Sequence, residues 1–157
     1  MIDRNSRSST RGLVPLRKVF LVPKPEKFDV PLSKDERDLL AQGLLQWDGP
    51  ATCTEELAVA IGFKSVDGLR IEAKRICGDL RDLRPLSQLD WTRTLLSTEI
   101  MFASDMMGAG VEWPTVTRFS DEETIVLLRG LQRKLIKYQA QIGTHHRHQE
   151  DAQPGRS

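Results

Sequence analysis

The chain has 157 residues, which suits one domain, with 39% hydrophobic and 29% charged residues and a formal net charge of +1. A total so close to zero excludes a global field that would draw the whole protein to nucleic acid or to a membrane surface. No apolar run reaches the roughly 18–20 residues that a spanning helix needs, so no membrane partner is expected.

The charge is unevenly placed. Residues 1–31 carry seven Lys/Arg against three Asp/Glu, whereas residues 32–143 carry fourteen against seventeen, giving a basic arm ahead of a mildly acidic body. Arg4, Arg7 and Arg11 precede only a short apolar stretch broken by Pro15, Arg17 and Lys18. That pattern is not a secretory signal, and a cytoplasmic location is the expectation. Cys53 and Cys77 belong to no C-x-x-C pair, and the spacing gives no reason to join them; they read as buried reduced thiols.

Residues 1–12 are rich in Ser and Arg and are expected to be disordered. Residues 13–31 hold Pro15, Pro23, Pro25 and Pro31 around Val19-Phe20-Leu21-Val22. Proline rules out a helix there, and the β-prone apolar run reads as a short strand or extended interaction arm. No second strand is evident to pair with it, so an arm docked on the domain or on a partner is the reading adopted.

A single helical domain is expected over 32–142. Ser33 and Glu36 have capping-box spacing, Leu39, Leu40 and Leu44 mark an apolar face, and Gly49-Pro50 stops this first helix. Thr52 and Glu55 repeat the spacing before a short helix with Leu57, Ala58 and Ile61 inward and Gly62 as a left-handed terminator. A third helix runs from about Val66 to Leu83, with Leu69, Ala73, Ile76, Leu80 and Leu83 as one stripe and Arg84-Pro85 as its stop.

Ser87 and Asp90 open a fourth helix, Gln88 to about Met107, read as the centre of the bundle. Its inward lines are Leu89, Leu96, Ile100, Ala103, Met107 and Trp91, Leu95, Phe102, Met106. Val111–Phe119 is a connection with a helical turn. Ser120 and Glu123 cap a last helix that runs to about Tyr138, with Leu128, Leu131, Leu135 and Tyr138 buried. Acids at its start and bases toward its end match the helix dipole. Residues 143–157, with all three histidines, read as a disordered tail. The predicted fold is all-α: a compact bundle of about five helices with an extended N-terminal arm and disordered ends.

The anomalous residue is Glu99. On a helix its neighbours are Leu95, Leu96, Phe102, Ala103 and Met106, so it is expected to be a buried carboxylate that needs a partner, with Arg118 as the candidate. Its simplest role is a core-specifying polar contact; an acid or base of an enzyme is the sharper alternative. Arg129, Arg133 and Lys137 recur every four residues as a ridge on the last helix, suited to an anion or acidic partner if it is more than a solvated face. His145, His146 and His148 lack the one-face spacing of a helical zinc site, no nucleophile motif or phosphate loop occurs, and no metal or cofactor is expected.

Glu56-Leu57-Ala58, then Ile61-Gly62-Phe63, then Ser65 opening the next helix, form a recognisable order. The stretch Thr54–Leu80 resembles a helix-turn-helix DNA-binding unit. In that family the alanine packs between the helices and the glycine makes the turn, and Ser33–Trp47 lies where such domains place a preceding helix. The resemblance implies DNA contacts by Lys64, Ser65, Arg70 and Lys74. Gly68 departs from it, standing where a branched apolar residue is usual, and Asp67, Glu72, Asp79 and Asp82 place acids along the same helix.

The leading expectation is a non-enzymatic helical protein, an interaction or regulatory adaptor whose partner is another protein. The alternative is a helix-turn-helix DNA-binding regulator with nucleic acid as partner, and the third reading is an enzyme built on a buried Glu99. Process, partner identity and oligomeric state do not follow from these residues.

Overall fold

The computed structural model describes residues 25–49 and 51–150, with 141–150 as backbone only. The Val19–Val22 segment lies outside the described residues. Among the described residues there are six α-helices: α1 (Lys34–Leu45), α2 (Glu55–Ile61), α3 (Val66–Arg81), α4 (Gln88–Ala103), the single turn α5 (Trp113–Val116) and α6 (Asp121–Glu150). The fold is all-α, as the hydrophobic spacing predicts. No helix among the described residues is long and apolar enough to cross a membrane.

Local chemistry places most helix starts where the caps predict. The Ser33 hydroxyl accepts from the Glu36 amide at 3.1 Å while the Glu36 carboxylate accepts from the Ser33 amide at 2.7 Å, a complete capping box. Ser120 and Glu123 make the same reciprocal pair at the head of α6. Ser65 and Ser87 cap α3 and α4 by accepting from Gly68 and Asp90 amides. At α2 the cap is Thr54, not Thr52: its hydroxyl takes the Leu57 amide, and the Thr52 amide is engaged by Met107 O. Gly62, at φ 106°, ends α2 in the left-handed region that glycine enters without strain.

Three boundaries differ from expectation for physical reasons. A strand pair does exist: β1 (Lys27–Phe28) runs antiparallel to β2 (Leu86–Ser87), with Phe28 opposite Leu86. Two residues carry no periodicity, so the pairing is invisible in the sequence. α4 stops at Ala103 rather than Met107, because the Ser104 hydroxyl accepts the Met107 amide and the Asp105 carboxylate accepts the Val111 amide, offering the backbone an alternative to the helix. α6 continues through Gly143 to Glu150, where a loose tail is expected; one glycine weakens a helix by only about 1 kcal/mol, and no proline interrupts this one.

α4 is central, touching α1, α2, α3 and α6, but its buried face is not the apolar one. Asp90, Trp91, Thr94, Ser97, Thr98 and Met101 face inward, whereas Leu89, Ala103 and Met106 are exposed and Leu95, Leu96, Ile100 and Phe102 are half-buried. The threonines satisfy themselves inside their own helix, Thr94 donating to Asp90 O at 2.7 Å and Thr98 to Thr94 O at 2.9 Å. Their short side chains let α1 come close: a Cβ at Gly43 would lie 2.3 Å from Thr98 Oγ1, so only glycine fits. Leu39, Leu40 and Leu44 of α1, Leu69 and Ile76 of α3, and Leu131 of α6 complete the core around this seam.

Residues 25–32 lie against the bundle. The Trp91 indole N–H donates to Phe28 O at 3.2 Å, and the two rings sit 6.2 Å apart. Lys134 on α6 donates to Pro31 O at 3.1 Å and to Glu36 at 2.6 Å. Burial alone would raise the Glu36 carboxyl, but Lys134 and the Ser33 amide overcome it and hold the group below the usual range.

Candidate interaction surface

α3 ends in a motif built for glycine. The Arg84 amide donates to Asp79 O at 2.8 Å and the Asp82 amide to Gly78 O at 3.0 Å, so residue 83 takes the left-handed position that closes the helix. That residue is Leu83, at φ 55°, the only non-glycine with positive φ among the described residues. A branched side chain in this region is strained by roughly 1–2 kcal/mol. The expected inward stripe ends at Leu80: Leu83 lies beyond the helix and is 66% exposed. Arg84-Pro85 is the cause, since the residue before proline is pushed to extended backbone and the helix must close earlier.

Leu83 overhangs a cleft of about 430 Å³ whose other walls include Val30, Leu32, Leu80, Trp91 and Tyr138. Arg37 and Arg84 stand on its rim with Asp29. A second cleft, about 620 Å³, runs between α1 and α3 and shares Arg37 and Leu80 with the first. Ala41, Leu45 and Cys77 supply its apolar side, and Lys34, Arg81 and Arg118 are on it with a single acid, Asp38. The two clefts share Arg37 and Leu80, forming one surface whose lining combines apolar side chains with several cations.

The cations on this rim are not equivalent. Lys34 pairs with Asp38 at 2.7 Å, Arg118 with Asp35 at 2.6 Å and Asp38 at 3.0 Å, and Arg84 with Asp79 and Asp82. Arg37 instead donates to a neutral partner, Leu32 O, at 2.6 Å. Arg81, exposed in the last turn of α3, makes no ion pair with any described residue. Beneath them Cys77 is buried, its thiol donating to Ala41 O, and burial pushes its pKa up to about 11. Neither cysteine is in a disulfide. A thiol so placed is packing rather than a nucleophile.

The helix-turn-helix order is realised locally: α2, the left-handed Gly62, buried Phe63 and the Ser65 cap lead into α3. Arg93 of α4 braces the turn, donating to Gly62 O and lying 4.9 Å from the Phe63 ring centroid. Ser65 is committed to its cap. Lys64, Arg70 and Lys74 are exposed, but Asp48 accepts Lys74 at 2.9 Å and lies 3.6 Å from Arg70, while Asp67 flanks Arg70 at 3.4 Å. The basic edge is therefore shared with acids at close range.

Glu99 is half-buried, and its carboxylate accepts from the Gln132 amide at 2.7 Å, tying α4 to α6. Arg118 is not its partner: that guanidinium pairs with Asp35 and Asp38 and stacks 4.3 Å from the Phe119 ring centroid. Glutamine carries no charge signal, which is why the true partner is not evident from sequence. Arg129, Arg133 and Lys137 are all exposed on α6; Arg129 donates to Gln132, and the other two have no ion-pair partner among the described residues. No group of three or more His, Cys, Asp or Glu among the described residues could hold a metal ion. No protein-family model, curated protein or solved structure matches this chain.

Arg37 is not singled out by sequence reasoning, and Arg81 enters it only as part of the basic edge of the third helix with Lys64, Arg70 and Lys74. The signal that could have found them is the lack of an acid four residues away: Arg37 has Ser33 and Ala41 at that spacing, and Arg81 has Cys77 and Pro85.

Proposed function

We propose that the protein is a non-enzymatic helical interaction module, of adaptor or regulatory type, that docks another protein on the double cleft around Leu83. The observation that carries this reading is Leu83 itself. It occupies a glycine position at a steric penalty and presents its side chain to water beside an apolar cleft. Neither helix termination nor core burial accounts for a leucine there, since glycine would serve the first and the second does not occur. A photo-crosslinking residue introduced at position 83 or 45, on the two clefts, should yield a discrete protein adduct in cells, and one at exposed Ala60 should not. Equal labelling from all three positions, or adducts only with nucleic acid, would contradict the reading.

A second reading, a DNA-binding regulator, is favoured by the α2–Gly62–Ser65–α3 arrangement with Arg70 and Lys74 exposed. Asp48 and Asp67 weigh against it, because phosphates would have to displace them. Retention of duplex DNA at low salt, lost on Arg70→Ala and Lys74→Ala, would favour this reading over the first.

A further inference from the structure

We infer that the segment docking on this surface is acidic: a stretch of a partner protein that places carboxylates at Arg37 and Arg81 and an aliphatic side chain against Leu80 and Leu83. The inference rests on the docking surface proposed above and adds the chemistry of what occupies it. Two arginines line the second cleft, Arg37 where it joins the first and Arg81 on α3, and neither has a carboxylate partner among the described residues. The acids lining the clefts are Asp38, already engaged by Lys34 and Arg118, and Asp29, which forms no ion pair with any described residue; Asp82, next to Arg81, is engaged by Arg84. A guanidinium donates through five N–H groups in a fixed fork, so one bond from Arg37 to Leu32 O leaves most of its capacity unused.

The floor decides between two kinds of anionic partner. Nucleic acid would use aromatic faces for stacking, yet Trp91 is buried, Tyr138 is half-buried, and the exposed apolar lining is aliphatic, from Leu45 and Leu83. A peptide supplies both components at once, an aliphatic side chain for the floor and carboxylates for the rim. The ridge of Arg129, Arg133 and Lys137 on α6 lines neither cleft and serves as the control surface.

The test is selection of a displayed random peptide library against the full chain, followed by affinity measurement of the enriched peptides. Expected are sequences joining Asp or Glu to Leu, Ile or Phe, whose affinity falls about tenfold on Arg81→Gln and on Arg37→Gln. Affinity should weaken with added salt and stay unchanged in an Arg129→Gln/Arg133→Gln variant. Arg81 is exposed and makes no ion pair with any described residue, so its variant keeps the test valid if Arg37→Gln loosens the Leu32 contact. Peptides that lose binding on Leu83→Ser but carry no acid would overturn the acidic partner and leave the docking surface standing. Peptides indifferent to Leu83→Ser would overturn both. A short DNA duplex bound with greater dependence on Arg81 than any selected peptide would overturn the inference in favour of nucleic acid.

Discussion

At the amino-terminal end of α3, Arg70 and Lys74 face Asp48 from the end of the α1 segment, and Asp67 flanks Arg70 from one turn earlier. At the carboxy-terminal end, Arg81 and Arg37 from α1, which line one cleft, form no ion pair with any described residue. In between, Arg75 is drawn inward to Asp79, Asp90 and Glu72. One helix thus carries three kinds of basic residue: locally neutralised, structurally committed and unclaimed. Counting Lys and Arg along it does not separate them, because the decisive acids Asp48 and Asp90 come from other segments. Available charge, rather than total charge, distinguishes the two ends, and it places the candidate docking surface at the end away from the helix-turn-helix turn.

The largest effect is expected from the middle group. Arg75→Ala leaves Asp79 and Asp90, both buried, with only Arg84 and Arg93 for company. A loss of about 2 kcal/mol is expected in urea denaturation, less than for a fully buried pair because Arg75 is partly exposed and the other arginines remain. A loss under about 0.5 kcal/mol, the size usual for surface changes, would mean that Arg75 belongs with the exposed pairs after all.

A smaller effect concerns the wall of the cleft. Glu36 holds Lys134, which also holds Pro31 O, so its ionisation secures residues 30–32 beside Leu83. Its folded pKa lies below the ordinary value, so the carboxylate's contribution is whole above an unfolded pKa near about 4.3 and is lost as pH falls through the folded value. The stability gap between the wild-type chain and Glu36→Gln should therefore narrow on acidification from pH 7 toward about pH 3. A gap that stays constant would show that the carboxylate charge contributes nothing there.

The smallest effect on stability, within about 0.5 kcal/mol, is expected from Asp48→Asn, because exposed ion pairs contribute little. The same change frees Arg70 and Lys74, so any duplex binding at low salt should strengthen, and Arg81→Gln should leave it unchanged. If Arg81→Gln weakens duplex binding more than Arg70→Ala does, the division between the two ends is wrong.

Much of the fold is legible because serine caps and leucine spacing agree over the same segments. Ser33, Ser65, Ser87 and Ser120 each begin a helix, and Leu39, Leu40, Leu44, Leu131 and Leu135 are buried as their spacing requires. What escapes the pattern has local causes. Thr94, Ser97 and Thr98 are buried because hydroxyls can bond within their own helix and because Gly43 needs short neighbours, neither of which is a hydrophobic signal. The β1–β2 pair is too short for periodicity, and Leu83 sits three residues beyond Leu80 only because Pro85 forces the helix to close. The candidate surface was the least legible part. Its residues come from six segments, and Arg37 and Arg81 stand out only once they are seen to form no ion pair with any described residue.

The measurement that tests the account most directly is the denaturation midpoint of Leu83→Gly, read beside crosslinking from position 45. Glycine removes the steric penalty of the left-handed position, so the account predicts a gain of about 1 kcal/mol in stability together with loss of the adduct. A variant that is less stable than the wild-type chain, or one that keeps the adduct in full, would contradict the claim that Leu83 is held in place for a partner.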